Sequence, residues 1–167
     1  MEKREKLLTT RQIALNGIAA GLYAAITVLT ASFAYGPIQF RIADALCLLV
    51  CLEPSLCIGL TLGCFAANLF STVTVLDLII GTAATLLGCL LTMKLKKTWL
   101  LPLPTVLCNA VLVGAMLAWV TGGAFWQTFL LYAAQVAAGE LAVLYVLGVP
   151  LYLTVRKSNL LPRILKR

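Results

Sequence analysis

Four carboxylate side chains interrupt the apolar stretches of this sequence, and they are Asp44, Glu53, Asp77 and Glu140. A charged group in a membrane-spanning segment is costly unless it is paired or faces a cavity, so each is a candidate functional residue. Glu140 is the strongest candidate because it lies near the middle of an apolar run. We predict that Glu140 contacts a ligand or an ion; the alternative is a structural carboxylate that is hydrogen-bonded to neighbouring helices.

A basic residue, Arg41, lies three positions before Asp44 in an otherwise apolar stretch. This spacing places the two side chains on one helix face, where they can form an ion pair. One interpretation is that the pair holds the start of a helix. The other, which is compatible with the first, is that Gln39, Arg41 and Asp44 line the outer mouth of a binding cavity.

Further polar side chains lie in or beside the other apolar runs. Asp77 begins one run and either contributes to a site or complements the amino end of its helix. Asn109 lies midway along its predicted helix and therefore near the middle of the membrane. Asn68 ends its predicted helix, where it acts either as a carboxy-terminal cap or as an interhelical hydrogen-bonding group. Glu53 precedes Pro54 at a turn, where we expect it to be solvated, and we assign it no role.

These groups together predict a polar funnel that leads inward from the outer side. Donors and acceptors of mixed kind, with an aromatic side chain nearby, suit a small, planar, polar ligand. The carboxylates are too few for a cation pathway built from charged rings. The predicted ligand-binding residues are Gln39, Arg41, Asp44, Asn68, Asp77, Asn109, Trp126 and Glu140.

The sequence lacks the residues that most catalytic and metal sites need. It contains no histidine, and its six cysteines lie in apolar runs, where they are expected to act as small packing residues. No nucleophile–base pair is evident, and no phosphate-binding motif of the G-x-x-x-x-G-K-[ST] type is present. We therefore predict no catalytic residue, metal or cofactor, no ATP hydrolysis by this chain, and no nucleic-acid partner.

Membrane-spanning helices are the elements that must position these residues. The 167-residue chain is 62% hydrophobic and 11% charged, with a mean hydropathy of +1.01, whereas a soluble domain is about 25% charged. We predict an all-α integral membrane protein with a single transmembrane domain, residues 1–167. The last of its helices is expected to bend or end near Pro150, and the second is too short to cross a ~30 Å core upright. The six transmembrane helices are predicted at about 11–34, 41–53, 54–70, 76–94, 99–120 and 125–155.

The lysine and arginine residues predict the orientation in the membrane. Twelve of the 13 lie before the first helix, between the fourth and fifth helices, or after the sixth. With six spans all twelve fall on one side, which must be the cytoplasm, so both termini are cytoplasmic and Arg41 alone lies on the outer side. Four spans with a re-entrant hairpin would give the same sidedness, so charge leaves that alternative open.

The first helix carries small residues at four-residue spacing, Gly17 with Gly21 and Ala20 with Ala24. Small residues at this spacing let a second helix approach closely. They serve either close packing inside the monomer or the docking of a partner subunit.

Four stretches of the sequence resemble the QueT family of substrate-binding S components of energy-coupling factor (ECF) transporters. The resemblance extends from about Arg11 to Leu151 and implies the six-helix S-component fold in the plasma membrane. It also implies a transmembrane coupling subunit, on which Ala20 and Ala24 would dock, and two cytoplasmic ATPases. Asp44 stands where the family often has glutamate. The stretches, in the family's order, are YGPIQFRIADAL (35–46), GLTLGCFAANLF (59–70), DLIIGTAATLLGCLLT (77–92) and GELAVLYVLGVPL (139–151).

The ligand that this resemblance implies is a queuosine precursor, a 7-deazaguanine base such as 7-aminomethyl-7-deazaguanine or queuine. A guanine-type edge presents N1–H and a 2-amino group side by side, and one carboxylate can accept from both. Glu140 is the best-placed carboxylate for this role, and Asp77 is second. The O6 atom of the base needs a donor, which Asn109, Asn68 or Gln39 can supply.

A cationic aminomethyl group on the base would favour a second acid, and Asp44 or Asp77 can serve. Two other functions stay open. One is an S component for another small, vitamin-like metabolite. The other is a stand-alone transporter driven by protons, with Glu140 as the carrier carboxylate.

Overall fold

The computed structural model describes residues 8–34, 40–71, 74–158 and 161, and these residues form helices and turns without any β-strand. The α-helices are α1 (Thr10–Leu29), α2 (Ala31–Ala34), α3 (Leu56–Asn68), α4 (Leu76–Thr92), α5 (Pro102–Thr121), α6 (Phe125–Val143) and α7 (Val149–Ser158). A 3₁₀ helix at Ile42–Cys51, a 3₁₀ turn at Thr98–Leu100 and a π-helical turn at Leu144–Gly148 accompany them. Each of the six predicted segments falls on one of these helical stretches.

Three continuous helical runs within the described residues are long and apolar enough to cross a membrane, namely Thr10–Leu29, Thr98–Thr121 and Phe125–Ser158. The shorter apolar helices are Ile42–Cys51, Leu56–Asn68 and Leu76–Thr92. Trp99 and Trp119 lie near the two ends of the second long run and are 62% and 76% exposed. At about 1.5 Å per residue they are about 30 Å apart, which is the thickness of the hydrocarbon core. Tryptophan prefers the two membrane interfaces, so this spacing fits a spanning helix.

Helices α1 and α3 cross closely because α3 carries Gly59 and Gly63, four residues apart. A Cβ atom on Gly63 would lie only 2.6 Å from the main-chain oxygen of Ala20. Asn16 Oδ1 accepts from Gly59 N at 2.7 Å, in the first turn of α3, where N–H groups lack helical partners. The close packing predicted for small residues therefore depends on the glycines of α3 as much as on α1.

The second predicted segment forms a 3₁₀ helix, Ile42–Cys51, instead of an α-helix. Ten residues extend about 20 Å in 3₁₀ geometry, compared with about 15 Å in an α-helix. The three-residue repeat stacks Asp44, Cys47 and Val50 along one side, and all three are fully buried. This helix runs through the interior of the bundle, so it places a carboxylate in the core.

The last helical run continues past Pro150, where we predicted a bend or an end. Proline has no N–H, and its ring crowds the carbonyl four residues earlier. The π-helical turn Leu144–Gly148 widens the helix at that position, and the run then continues to Ser158. A Cβ atom on Gly148 would lie 3.0 Å from Leu48 Cδ1. The π-helical turn and the 3₁₀ helix are therefore in direct contact.

One end of the bundle gathers segments that carry basic residues. Leu52, Leu95 and Tyr152 belong to one apolar cluster, which joins the end of the 3₁₀ helix to the basic loop after α4 and to α7. Gln12 Nε2, in the first turn of α1, donates to Glu53 Oε1 at 3.2 Å. Glu53 is therefore half-buried and hydrogen-bonded instead of solvated. The start of α1, the loop after α4 and α7 lie at the same end of the fold.

Candidate functional site

A group of polar side chains is buried where the 3₁₀ helix meets α1, α3, α4, α5 and α6. We call this group the polar cluster. Each of its members is at most 4% exposed, although most of the surrounding side chains are apolar. The members are Tyr23, Arg41, Asp44, Cys64, Asn68, Asp77, Thr85, Asn109 and Glu140.

Two carboxyl groups of the polar cluster face each other, those of Asp44 and Glu140, which we call the acid pair. Asn109 Nδ2 joins the two members, because it donates to Glu140 Oε1 at 3.2 Å and to Asp44 Oδ2 at 3.4 Å. The hydroxyl of Tyr23 donates to Asp44 Oδ1. Two carboxylates that share one donor lie close enough to repel each other unless a proton or a cation lies between them. The acid pair is therefore a site for a proton or for a donor-rich ligand.

Arg41 pairs with Asp77 on the other side of the polar cluster. Its Nη2 atom lies 3.6 Å from Asp77 Oδ2, and Ser71 Oγ donates to the same oxygen at 2.9 Å. We predicted a local pair between Arg41 and Asp44, but the ion pair links the 3₁₀ helix to α4 instead. Arg41 is 1% exposed, so its side chain is buried inside the protein. The carboxylate of Asp77 contacts Arg41 and Ser71, and Asp77 also lies in the first turn of α4, where a negative charge complements the helix dipole.

Cys64 lies between the two sides of the polar cluster, and three donors surround its sulfur. The distances to Sγ are 3.7 Å from Arg41 Nη1, 3.5 Å from Asn68 Nδ2 and 3.2 Å from Thr85 Oγ1. Sulfur is a weak acceptor, so these contacts position the donors without neutralising Arg41.

Several buried atoms of the polar cluster have no hydrogen-bond partner among the described residues. The acceptors are Asn68 Oδ1, Asp77 Oδ1, Asn109 Oδ1 and Glu140 Oε2, and the donors are Arg41 Nε and Nη2. Buried polar groups are normally satisfied, and an unsatisfied one needs an explanation. Four acceptors and one guanidinium group together suit a ligand that has many N–H donors and one carbonyl oxygen.

The structure brings six of the eight predicted ligand-binding residues into the polar cluster, namely Arg41, Asp44, Asn68, Asp77, Asn109 and Glu140. Gln39 lies outside the described residues. Trp126 is 73% exposed at the start of α6, where its ring packs edge-on against Phe125 and Phe129. It lies away from the polar cluster and matches an aromatic residue at a membrane interface.

Three members of the polar cluster were absent from the predicted set: Tyr23, Cys64 and Thr85. For Tyr23 a signal exists, because Asn16, Tyr23 and Thr27 follow one another at spacings of seven and four residues along α1. These spacings place them on one helix face, and all three are buried. Cys64 and Thr85 resemble ordinary packing residues, and only the tertiary structure brings them to Arg41.

The small residues of α1 divide between two faces. Gly17 and Gly21 are exposed, and a Cβ atom on either would meet no described atom within 4 Å. Ala20 contacts Gly63 of α3, and Ala24 packs on the apolar interior. The structure therefore uses the alanine pair inside the monomer and leaves the glycine pair on the outside.

Comparisons with known proteins indicate a family of transporters. The model of the QueT transporter family matches residues 13–157. The queuosine precursor transporter QueT of Lactococcus lactis subsp. cremoris (strain MG1363) is 33% identical over 96 residues, which cover 54% of this chain and 56% of that protein. The match thus spans just over half the length of the curated relative. No solved structure gives a significant match. The chain is a multi-pass membrane protein that belongs to the QueT transporter family.

Proposed function

We propose that the protein is the substrate-binding S component of an ECF-type importer and that it binds queuosine precursors, which are 7-deazaguanine bases. The family match covers most of the chain, and the similar protein from Lactococcus lactis is named a queuosine precursor transporter. Membership in a transporter family also agrees with a protein that has no catalytic role of its own.

The observation that carries the proposal is the set of unpartnered atoms in the polar cluster. A 7-deazaguanine offers N1–H and a 2-amino group on one edge and the O6 acceptor next to them. Glu140 Oε2 is free among the described residues to accept from that edge. Asn109 Nδ2 and Asn68 Nδ2 already donate within the protein, so Arg41 Nε takes the role of O6 donor. Buried polar contacts of this kind reject bases that leave them unpaired.

The same proposal includes six spans with both termini in the cytoplasm. The basic loop after α4, the basic end of α7 and the start of α1 lie at one end of the fold, which supports a single cytoplasmic side. In this orientation Arg41 begins a segment that descends from the outer side.

The energy for uptake would come from partners, a transmembrane coupling subunit and two cytoplasmic ATPases. The exposed face of α1 around Gly17 and Gly21 is the proposed contact with the coupling subunit, because a partner helix can approach the backbone closely at two exposed glycines. Ala20 and Ala24, which the family resemblance assigned to docking, are turned toward the interior.

A stand-alone proton-driven transporter is the second candidate, and the acid pair favours it. Two facing carboxyl groups, linked by Asn109, can hold one proton between them and release it when the pair separates. The two candidates predict different energy requirements for uptake, so they can be separated by reconstitution.

The test has two parts. Detergent-purified protein is analysed by mass spectrometry for retained ligand and by calorimetry with 7-aminomethyl-7-deazaguanine, queuine and guanine; we expect binding of the deazaguanines and weaker binding of guanine. Liposomes then receive the protein alone or with the coupling subunit and ATPases. Uptake that needs the partners and ATP supports the S component, whereas uptake by the protein alone under a proton gradient contradicts it. Retention of an unrelated vitamin would contradict the proposed ligand.

A further inference from the structure

We infer that Tyr23 is a positioning residue of the binding site, which fixes the orientation of the Glu140 carboxylate and thereby sets the preference for bases with a 2-amino group. This inference rests on the proposed function, because Glu140 is the acid proposed to accept from the edge of the base. The proposed function itself requires only that a deazaguanine binds, whatever orients the acid.

A chain of hydrogen bonds crosses the bundle from α1 to α6. The hydroxyl of Tyr23, on α1, donates to Asp44 Oδ1. Asn109 Nδ2, on α5, donates to Asp44 Oδ2 at 3.4 Å and to Glu140 Oε1 at 3.2 Å. All four side chains are at most 1% exposed, so water does not replace these contacts. Glu140 is the last member of the chain, and the direction of its carboxylate depends on the members before it.

The two carboxyl groups of the acid pair differ in how completely their oxygens are used. Both oxygens of Asp44 accept hydrogen bonds, and the Cys47 thiol adds a third contact, at 3.8 Å from Oδ1. Glu140 Oε2, by contrast, has no partner among the described residues. In this inference Asp44 therefore holds other side chains in place instead of contacting the ligand, and Glu140 keeps an oxygen for the base.

Tyr23 decides where the Asp44 carboxylate points. Asp44 lies three residues after Arg41 at the start of the 3₁₀ helix, and residues three apart are eclipsed in this geometry. Without another bond, Asp44 would turn away from Glu140, which repels it, and toward the guanidinium, which attracts it. The Tyr23 hydroxyl holds Asp44 Oδ1, and Arg41 pairs with Asp77 instead. Loss of the hydroxyl is therefore expected to release Asp44 and to loosen the rest of the chain.

The packing of α1 on α3 brings the Tyr23 ring into the bundle. A Cβ atom on Gly63 would lie 2.9 Å from Tyr23 Cβ, which is closer than real Cβ atoms approach, so glycine at this position makes room for the tyrosine. Tyr145 provides a contrast outside the polar cluster. Its hydroxyl donates to the main-chain oxygen of Trp99 at 2.6 Å, and the side chain is 37% exposed. The two tyrosines therefore make similar bonds in different places.

The experiment compares two bases that differ only in the 2-amino group. Calorimetry measures the affinities of 7-aminomethyl-7-deazaguanine and of its analogue without the 2-amino group for the intact protein in detergent. We expect the wild type to prefer the first base about 10- to 150-fold, which is the factor that one hydrogen bond to a charged group provides. Equal affinities in the wild type would overturn the inference while leaving the proposed function intact. Binding of neither base would overturn both.

Tyr23→Phe removes only the hydroxyl that begins the chain. We expect it to bring the affinity ratio of the two bases to within about threefold of one, mainly by weakening the binding of the base that has the 2-amino group. Tyr145→Phe is the matched control, because it also loses one hydroxyl hydrogen bond, and it should keep the wild-type ratio. A purely structural Tyr23 would weaken both bases equally in Tyr23→Phe, and an unchanged ratio would overturn the inference.

Two further variants test the chain at its other members. Asp44→Asn has only one side-chain oxygen for the two donors, so it should lower the ratio in the same way, and it replaces Tyr23→Phe if that variant does not fold. In Glu140→Gln, adding Tyr23→Phe should cause no further loss of affinity for the base with the 2-amino group, because residues that act through one another are not additive. A wild-type ratio in Asp44→Asn, or an additive loss in the double variant, would overturn the inference.

Discussion

Replacement of Glu140 by glutamine is the sharpest test of the polar cluster, because it changes one atom and keeps the shape. In the native protein Glu140 Oε1 accepts from Asn109 Nδ2 at 3.2 Å, and Oε2 has no partner among the described residues. A glutamine keeps the bond to Asn109 through its oxygen and turns its NH₂ group toward Asp44. The variant therefore loses the free acceptor and also the repulsion within the acid pair.

The magnitude follows from these two changes. A hydrogen bond to a charged group contributes about 1.5–3 kcal/mol, so losing the acceptor for the base edge weakens binding about 10- to 150-fold. The new amide contact with Asp44 replaces a carboxyl–carboxyl contact, so the free energy of unfolding should stay the same or rise. Weaker binding together with undiminished thermal stability distinguishes a ligand contact from a structural role.

Calorimetry with 7-aminomethyl-7-deazaguanine measures the binding, and the melting temperature in the same detergent measures the stability. Glu53→Gln is the matched control, because Glu53 is half-buried and hydrogen-bonded to Gln12 at the basic end of the fold, outside the polar cluster. If Glu140→Gln bound the ligand as tightly as the wild type, Glu140 would not be part of the site. If the variant melted well below the control, Glu140 would be mainly a structural carboxylate.

Three further predictions concern packing, charge and docking. Gly63→Ala is expected to lower the free energy of unfolding by about 1–3 kcal/mol, because its Cβ meets the backbone of α1. Gly17→Ala meets open space and should leave the melting temperature unchanged or raise it, because alanine is the better helix former. Arg41→Gln should destabilise the protein by about 3–5 kcal/mol by leaving Asp77 uncompensated, and adding Asp77→Asn should restore much of that loss in melting experiments. Gly21→Leu should keep ligand binding but reduce ATP-driven uptake with the partner subunits; undiminished uptake would exclude this face as the docking surface.

Sequence patterns predicted the helical segments well because apolar length and charge are local properties. The predicted 76–94 corresponds to α4 at Leu76–Thr92, and the predicted 54–70 corresponds to α3 at Leu56–Asn68. The 3₁₀ geometry of Ile42–Cys51 was not predictable in this way. Its residues are apolar at nearly every position, so no period distinguishes a 3₁₀ helix from an α-helix.

The candidate site was partly predictable for a related reason. A carboxylate or an amide within an apolar run is conspicuous, so Glu140, Asn109 and Asp77 could be identified without a structure. Their partners could not be identified. Arg41 is three residues from Asp44 and 36 residues from Asp77 in the numbering, and local spacing favoured the wrong carboxylate. Trp126 was predicted as an aromatic ligand-binding residue, but it lies exposed at the beginning of α6.

The order of residues is enough to predict that this chain lies in a membrane and which polar groups it carries into the bilayer, because the hydrophobic effect and the cost of burying charge depend mainly on composition along the chain. Which of these groups meet depends on the folding of the helices against one another. The crossing of α1 and α3 at Gly63 and the path of the 3₁₀ helix bring Tyr23, Asp44 and Glu140 together from distant positions. Hydrogen bonds and ion pairs act over a few ångströms, so they are set by this packing and not by the order of residues.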